Sequence, residues 1–157
     1  MAFWSTTFGK MIMTFLVAMV PILELRGAIP FGVSNDLNIW VAILLSVFGN
    51  LIPVPFIILF VRRIFAWLRT KSGWLEKMVS RLEARAEKKA ETVHRYEFWG
   101  LVILVAIPLP GTGAWTGALV AAMMNLRLKK SFPAIAVGVA IAAVLVSVIT
   151  FGADKVF

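Results

Sequence analysis

The chain has 157 residues, 61% of them apolar, no cysteine and a formal net charge of +8. Ordinary soluble domains are closer to half apolar, and a soluble fold of this size has too little interior for such a share, so lipid is the expected solvent. The missing cysteines exclude a disulfide framework, a thiol nucleophile and a thiolate metal site. The positive balance does not read as nucleic-acid binding, because the basic residues gather in 62–95 and at Arg127, Lys129 and Lys130, beside apolar spans. That is the pattern of the positive-inside rule.

Lys10–Val33 is apolar with an interruption at Pro21, Glu24, Arg26, Gly27 and Pro30. Charged side chains at membrane depth are costly and mark a partner or a task. No basic segment and cleavage site precede it, so no removable signal peptide is expected. Ser34–Asn38 is a turn-like polar break. Ile39–Val61 is long enough to cross a hydrocarbon core of ~30 Å. Within it Pro53 and Pro55 remove two helix donors, so a kink is expected there.

Residues 62–97 are polar and basic. Leu75, Val79, Leu82, Ala86, Val93 and Tyr96 recur at helical spacing, between an acidic stripe (Glu76, Glu83, Glu87, Glu91) and a basic face (Lys77, Arg81, Arg85, Lys88, Arg95). This predicts a cytoplasmic amphipathic helix lying on an anionic lipid surface. A helix that pairs with a second copy of the chain is the alternative. Phe98–Met124 is apolar but broken by Pro108-Leu-Pro-Gly-Thr-Gly-Ala-Trp-Thr-Gly117, and a basic break, Asn125–Lys130, leads to the span Phe132–Gly152. Ala134, Gly138 and Ala142 on that span permit close helix approach.

Pro21 aligns with Pro108 and Gly49 with Gly138, so each half reads as interrupted segment, polar break, complete span. The expected fold is an all-α integral membrane protein of one domain, 1–157. Repeat 1 covers 10–61, the amphipathic helix 62–97 and repeat 2 98–152. If Phe98–Met124 crossed the membrane, the two basic clusters would lie on opposite sides. A hairpin that enters, turns near Pro108–Gly113 and returns keeps both cytoplasmic, and each arm is about half a bilayer long. The same reasoning puts Lys10 and Asp36 together on the outer face and makes the repeats inverted, with tips meeting near the midplane. Four ordinary spans with proline kinks are the alternative. Two segments interrupted at corresponding places point to a binding site between them.

Candidate site residues follow from the two tips. A desolvated carboxylate at Glu24 favours its neutral form and suits proton carriage or cation binding. Arg26 suits bidentate binding of phosphate or carboxylate. The structural alternative is that these two satisfy each other or the loop carbonyls. Gly27 and Pro30 complete the first tip. Pro108, Pro110, Gly111, Thr112, Gly113, Trp115, Thr116 and Gly117 form the second. There glycines let backbone approach a ligand, and the helix starting near Ala114 presents an N-terminus that attracts anions. A structural tight turn is the alternative at that tip. His94 has no partners at metal spacing, so no metal site is expected. Neither catalytic constellation nor cofactor motif is present in the sequence, so enzymatic function is not expected.

Glu24-Leu-Arg-Gly-Ala-Ile-Pro30, paired with Pro108 to Gly117, resembles the small multidrug export protein family over nearly the whole chain. That family is similar to the wider DedA and VTT-domain superfamily of membrane proteins. The resemblance implies two facing re-entrant hairpins with an acidic residue, matched by Glu24, and an arginine, for which Arg26 lies in the same loop motif. It also implies lipid translocation, including lipid-linked phosphates, and dependence on a proton gradient. Where the superfamily offers an arginine at the second tip, this chain has Gly111, Thr112 and Gly113. The expected function is a proton-coupled transporter of an anionic amphiphile, such as a lipid-linked (polyprenyl) phosphate, in a bacterial or archaeal inner or plasma membrane. The alternatives are a proton-coupled exporter of cationic drugs and a non-transporting scaffold. Expected partners are membrane lipids, the lipid-phosphate or small amphipathic substrate, protons and a second copy of the chain; no nucleic acid is expected.

Overall fold

The computed structural model describes residues 2–71, 73–81, 84, 96–109 and 111–152. Among them every regular element is helical. A 3₁₀ turn, Phe3–Ser5, precedes α1 (Thr7–Met19), α2 (Glu24–Ser34), α3 (Ile39–Leu51), α4 (Pro53–Lys71), α5 (Glu97–Ala106), α6 (Ala114–Met123) and α7 (Leu128–Phe151). Residues 73–81 and 84 are helical as well, with Val79 buried. The rest of the expected amphipathic helix, including Leu82, Glu83 and His94, lies outside the described residues, as does Pro110.

Local chemistry explains the starts and stops. Thr6 Oγ1 accepts the Gly9 N–H at 3.1 Å to open α1, and Asn38 Oδ1 accepts the Trp40 N–H at 2.9 Å to open α3. The prolines expected to kink the first span end α3 at Leu51, and α4 restarts at Pro53, the helical position that needs no donor. Two boundaries differ from expectation. The helix expected to end at Val61 continues to Lys71, because long basic side chains can run their stems along apolar surface and still reach water. The last span begins at Leu128 rather than Phe132, since Pro133 lies early enough in α7 to be tolerated there.

Ile39–Lys71 and Leu128–Phe151 are long and apolar enough to cross a membrane. Only 28% and 44% of their most apolar windows are buried within the protein. Phe48, Phe56, Phe60, Leu44 and Ile149 face outward, which suits lipid rather than water. The other interhelical elements are short. α1 has 13 residues, α2 11, and α5 and α6 10 each, so each is about half the length a crossing needs.

The chain reverses at both interruptions. A Cβ added at Gly32 of α2 would touch Thr14 of α1, so α1 and α2 run antiparallel about a turn at 20–23. A Cβ at Gly117 of α6 would touch Val105 of α5, so α5 and α6 double back about 107–113. Each pair packs on the helix that follows it: α1 and α2 on α3, α5 and α6 on α7.

The two halves carry matching details. Gly49 of α3 sits against the Phe15 carbonyl and Ala18 of α1; Gly138 of α7 sits against the Val102 carbonyl and Val105 of α5. Phe15 to Val102, Ala18 to Val105 and Pro21 to Pro108 are one and the same interval. The helix ends match as well. After α2, Leu37 N–H reaches Gly32 O at 3.1 Å and Asp36 N–H reaches Val33 O at 3.1 Å. After α6, Leu126 N–H reaches Ala121 O at 3.0 Å and Asn125 N–H reaches Ala122 O at 3.2 Å. Asp36 and Asn125 hold the left-handed conformation this cap requires, with φ of 63° and 51°.

The charged ends are sorted. Lys10 Nζ lies 3.5 Å from Asp36 Oδ2, as expected from the hairpin reading, and closes the open end of the first hairpin. Arg62 donates to the Leu126 carbonyl, which brings the basic end of α4 to the open end of the second. Glu97 and Lys130 line one small crevice at that same end. The stretch from Ile39 to Arg62 separates the two ends, roughly 35 Å at 1.5 Å per residue.

Candidate functional site

The two turns meet. Pro21, Ile22, Glu24 and Arg26 from the first, with Pro108, Gly111, Thr112 and Thr116 from the second, line a cavity of about 480 Å³. Six of these eight were singled out from sequence; Pro21 and Ile22 extend the set, and Pro21 was visible there as the repeat anchor.

Glu24 opens α2 and is buried. Its own φ is +49°, an uncommon conformation for a residue with a side chain. Its Oε1 accepts the Trp115 N–H at 3.2 Å. The carboxylate therefore sits on the N-terminus of α6, where unpaired N–H groups and the helix dipole favour negative charge. Gly113, the residue before that helix, makes this possible. Its φ is +147°, and a Cβ there would fall onto the Glu24 carboxylate. The helix end expected to receive a substrate anion instead receives Glu24.

Arg26 works the other end of the break. Its Nη1 donates to the Leu109 carbonyl, and its Nη2 to the Ile107 carbonyl at 2.9 Å and to Thr112 Oγ1 at 3.0 Å. These carbonyls lie just past the last residue of α5, where helical donors have run out and Pro108 and Pro110 contribute none. A cation beyond a helix C-terminus is also favoured by the dipole. No ion pair within 4.0 Å joins Glu24 to Arg26; each charge engages one helix end of the second interruption. Three of the five guanidinium donors are committed in this way, and two have no partner among the described residues. Arg26 is only partly buried and faces the cavity, whereas Glu24 is buried.

The second turn is held by its own hydroxyls. Thr116 Oγ1 donates to the Gly111 carbonyl at 2.8 Å, and Thr112 Oγ1 is 2.7 Å from Ile107 O. Gly111 has φ of +82° with open space where a Cβ would be.

The remaining candidates lie off the cavity. Pro30 is inside α2, where it withholds a donor from the Arg26 carbonyl. Gly27 stacks under Leu23, and Gly117 lets α6 close on Val105 and Ile135. Trp115 divides its roles: its N–H holds Glu24, while its ring lines a separate apolar groove of about 670 Å³ with Pro53, Phe56, Phe60 and Leu119. Arg63 stands at that groove too. Among the described residues no cluster of His, Cys, Asp and Glu could hold a metal ion.

A family model for the small multi-drug export protein matches residues 24–145. No curated protein and no solved structure matches the chain. The match begins at Glu24, the first residue of α2, and runs through the second turn and most of α7, and the chain belongs to the small multi-drug export protein family.

Proposed function

We propose that the protein is a proton-coupled transporter of an anionic amphiphile, of which a lipid-linked phosphate is the leading candidate. It would work in a bacterial or archaeal inner or plasma membrane. In this reading the two halves are inverted repeats. Each is a re-entrant hairpin (α1–α2, α5–α6) followed by a crossing helix. The short arms, the chain reversals and the separation of the Lys10–Asp36 end from the Arg62–Leu126 end support it.

The observation that carries the substrate class is the partly buried Arg26, with two uncommitted donors at a cavity of about 480 Å³. An anionic head group entering there accepts from those two donors, and charge-assisted hydrogen bonds favour it. Thr112 and Thr116 supply hydroxyls beside it. The apolar groove that Trp115 lines suits the hydrocarbon part. Glu24 supplies the coupling. While ionised it clamps the α6 N-terminus to the first turn; a bound proton weakens that clamp and frees the turns to part.

The family name and the volume of the apolar groove favour a second reading, export of lipophilic cationic compounds, with Glu24 as their counter-charge. Affinities of the purified protein for a short-chain polyprenyl phosphate and for a lipophilic cation separate the two. The proposal expects Arg26→Ala to lose phosphate binding and leave the cation unaffected. Unchanged phosphate affinity in Arg26→Ala, with cation affinity lost in Glu24→Gln, contradicts it and favours the second reading.

A further inference from the structure

Among the described residues four hydroxyl side chains are fully or almost fully buried: Thr14, Ser46, Ser131 and Ser147. Thr14, Ser131 and Ser147 each donate to the carbonyl four residues back, at 2.8, 3.0 and 2.7 Å. That is a usual partner for a hydroxyl on a helix. Ser46 does not follow them: its Oγ has no partner among the described residues. One turn further along α3, Asn50 is fully buried, and neither its Oδ1 nor its Nδ2 has a partner among the described residues. Between them Gly49 lies against α1, and Pro53 cannot donate to its carbonyl. Buried polar groups without partners are costly and call for a reason.

The helix register supplies one. A Cβ at Gly32 of α2 would touch Ala42 of α3. The two helices are antiparallel neighbours, so the next turn along each sets Ala28 beside Ser46, and the one after runs Asn50 toward the end of α2 that Glu24 opens. Ala28, Ser46, Glu24 and Asn50 are all buried, as that register requires. The second half keeps the same ladder: Gly117 of α6 lies against Ile135 of α7, and Gly138 matches Gly49, which sets Ile135 at the place of Ser46 and Val139 at the place of Asn50. There the places of Ser46 and Asn50 are held by Ile135 and Val139, both fully buried hydrocarbon. The packing thus does not demand polar residues at these places. Only the half that owns Glu24 has them.

We infer that Ser46 and Asn50 hold internal water against Glu24, and that this water is the path by which the Glu24 carboxyl gains and loses its proton. The inference rests on the proton role of Glu24 proposed above. The amide and hydroxyl together offer donors and acceptors, which water can meet in full. A bare cation would leave Nδ2 with nothing to donate to. Among the described residues Arg26 is the charged group that faces Glu24. Neither α3 nor α6 carries a charged residue, Lys10 of α1 pairs with Asp36 at the far end of the hairpin, Glu97 opens α5, and Lys129 and Lys130 lie at the start of α7.

The test is the hydrogen–deuterium exchange rate of the Glu24 carboxyl, read from the protonated-carboxyl infrared band that Glu24→Gln removes. Asn50→Val borrows the residue found at position 139. It is expected to slow exchange by on the order of tenfold, the rate equivalent of one lost hydrogen bond. Its thermal midpoint should be no lower than that of the natural chain. Ser46→Ala should slow exchange less, and Asn50→Ser, which keeps a polar group, should restore most of the rate. Exchange at the natural rate in Asn50→Val overturns the inference. Should that variant fail to fold, the natural rate in Ser46→Ala overturns it equally. Absence at every pH of any band that Glu24→Gln removes overturns the proton role itself, and so separates the two failures.

Discussion

The first turn is short and charged, and the second is two residues longer by the matching intervals, rich in glycine and without charge. In the first, Glu24 takes up a left-handed backbone itself, and the side chains reach outward. In the second, Gly111 and Gly113 take the unusual conformations, and the backbone is what is offered. Each turn thus has what the other lacks. A carboxylate meets unpaired N–H groups at the start of α6, and a guanidinium meets carbonyls left over beyond α5. Matching packing with unlike chemistry means that the halves form one site between them rather than two copies of a site.

The sharpest way to break this complementarity is at Gly113. In Gly113→Leu the new Cβ falls onto the Glu24 carboxylate and the backbone at φ +147° is strained. The expected loss is about 3 kcal/mol or more, from strain and broken charged hydrogen bonds together. It would be read as a large drop in thermal midpoint in detergent with loss of transport. Arg26→Lys is next. Lysine keeps the charge but cannot span Ile107, Leu109 and Thr112 together, so roughly 1.5–3 kcal/mol per lost charged hydrogen bond is at stake. Transport by this variant should fall tenfold or more, since about 1.4 kcal/mol is a factor of ten. Glu24→Gln preserves size and a hydrogen-bond acceptor but removes the charge from the α6 end. A smaller fall in stability is expected, together with loss of the pH dependence of transport; a normal pH profile in this variant would show that another group carries the proton. At the low end, Asp36→Asn removes an ion pair whose acidic partner is almost wholly in solvent, and no measurable shift in thermal midpoint is expected.

Much of this was legible in the residue order. Charges inside an apolar run, prolines at matching places and arms too short to cross were enough to bring Glu24, Arg26, Gly111, Thr112 and Thr116 to one cavity. The Lys10–Asp36 contact followed from the reversal alone. What the order of residues could not give was the partner of each charge. Arg26 bonds to carbonyls more than 80 positions away, and any residue there has a carbonyl to offer, so no side-chain pattern announces the contact. The α6 end read as an open anion site because its own occupant lies in the other half. Pro30 read as the edge of the first turn, yet sits within α2. The continuation of α4 past Val61 is not legible in the residue order, because a run of arginines resembles the end of a span, whereas long basic side chains let the helix continue. Ser46 and Asn50 were hidden for a different reason. A serine and an asparagine in an apolar helix are unremarkable until burial reveals that neither has a partner among the described residues.

The central claim is that two hairpins enter from opposite faces and meet turn to turn. Because the chain has no cysteine, single cysteines at Asp36, Arg69 and Lys129 can each be exposed to a membrane-impermeant thiol reagent in intact and in permeabilised cells. The account predicts that the Asp36 site reacts in intact cells and that the Arg69 and Lys129 sites react only after permeabilisation. Reaction at Lys129 alongside Asp36 in intact cells, with Arg69 protected, would make the second interrupted segment a true crossing and contradict the account.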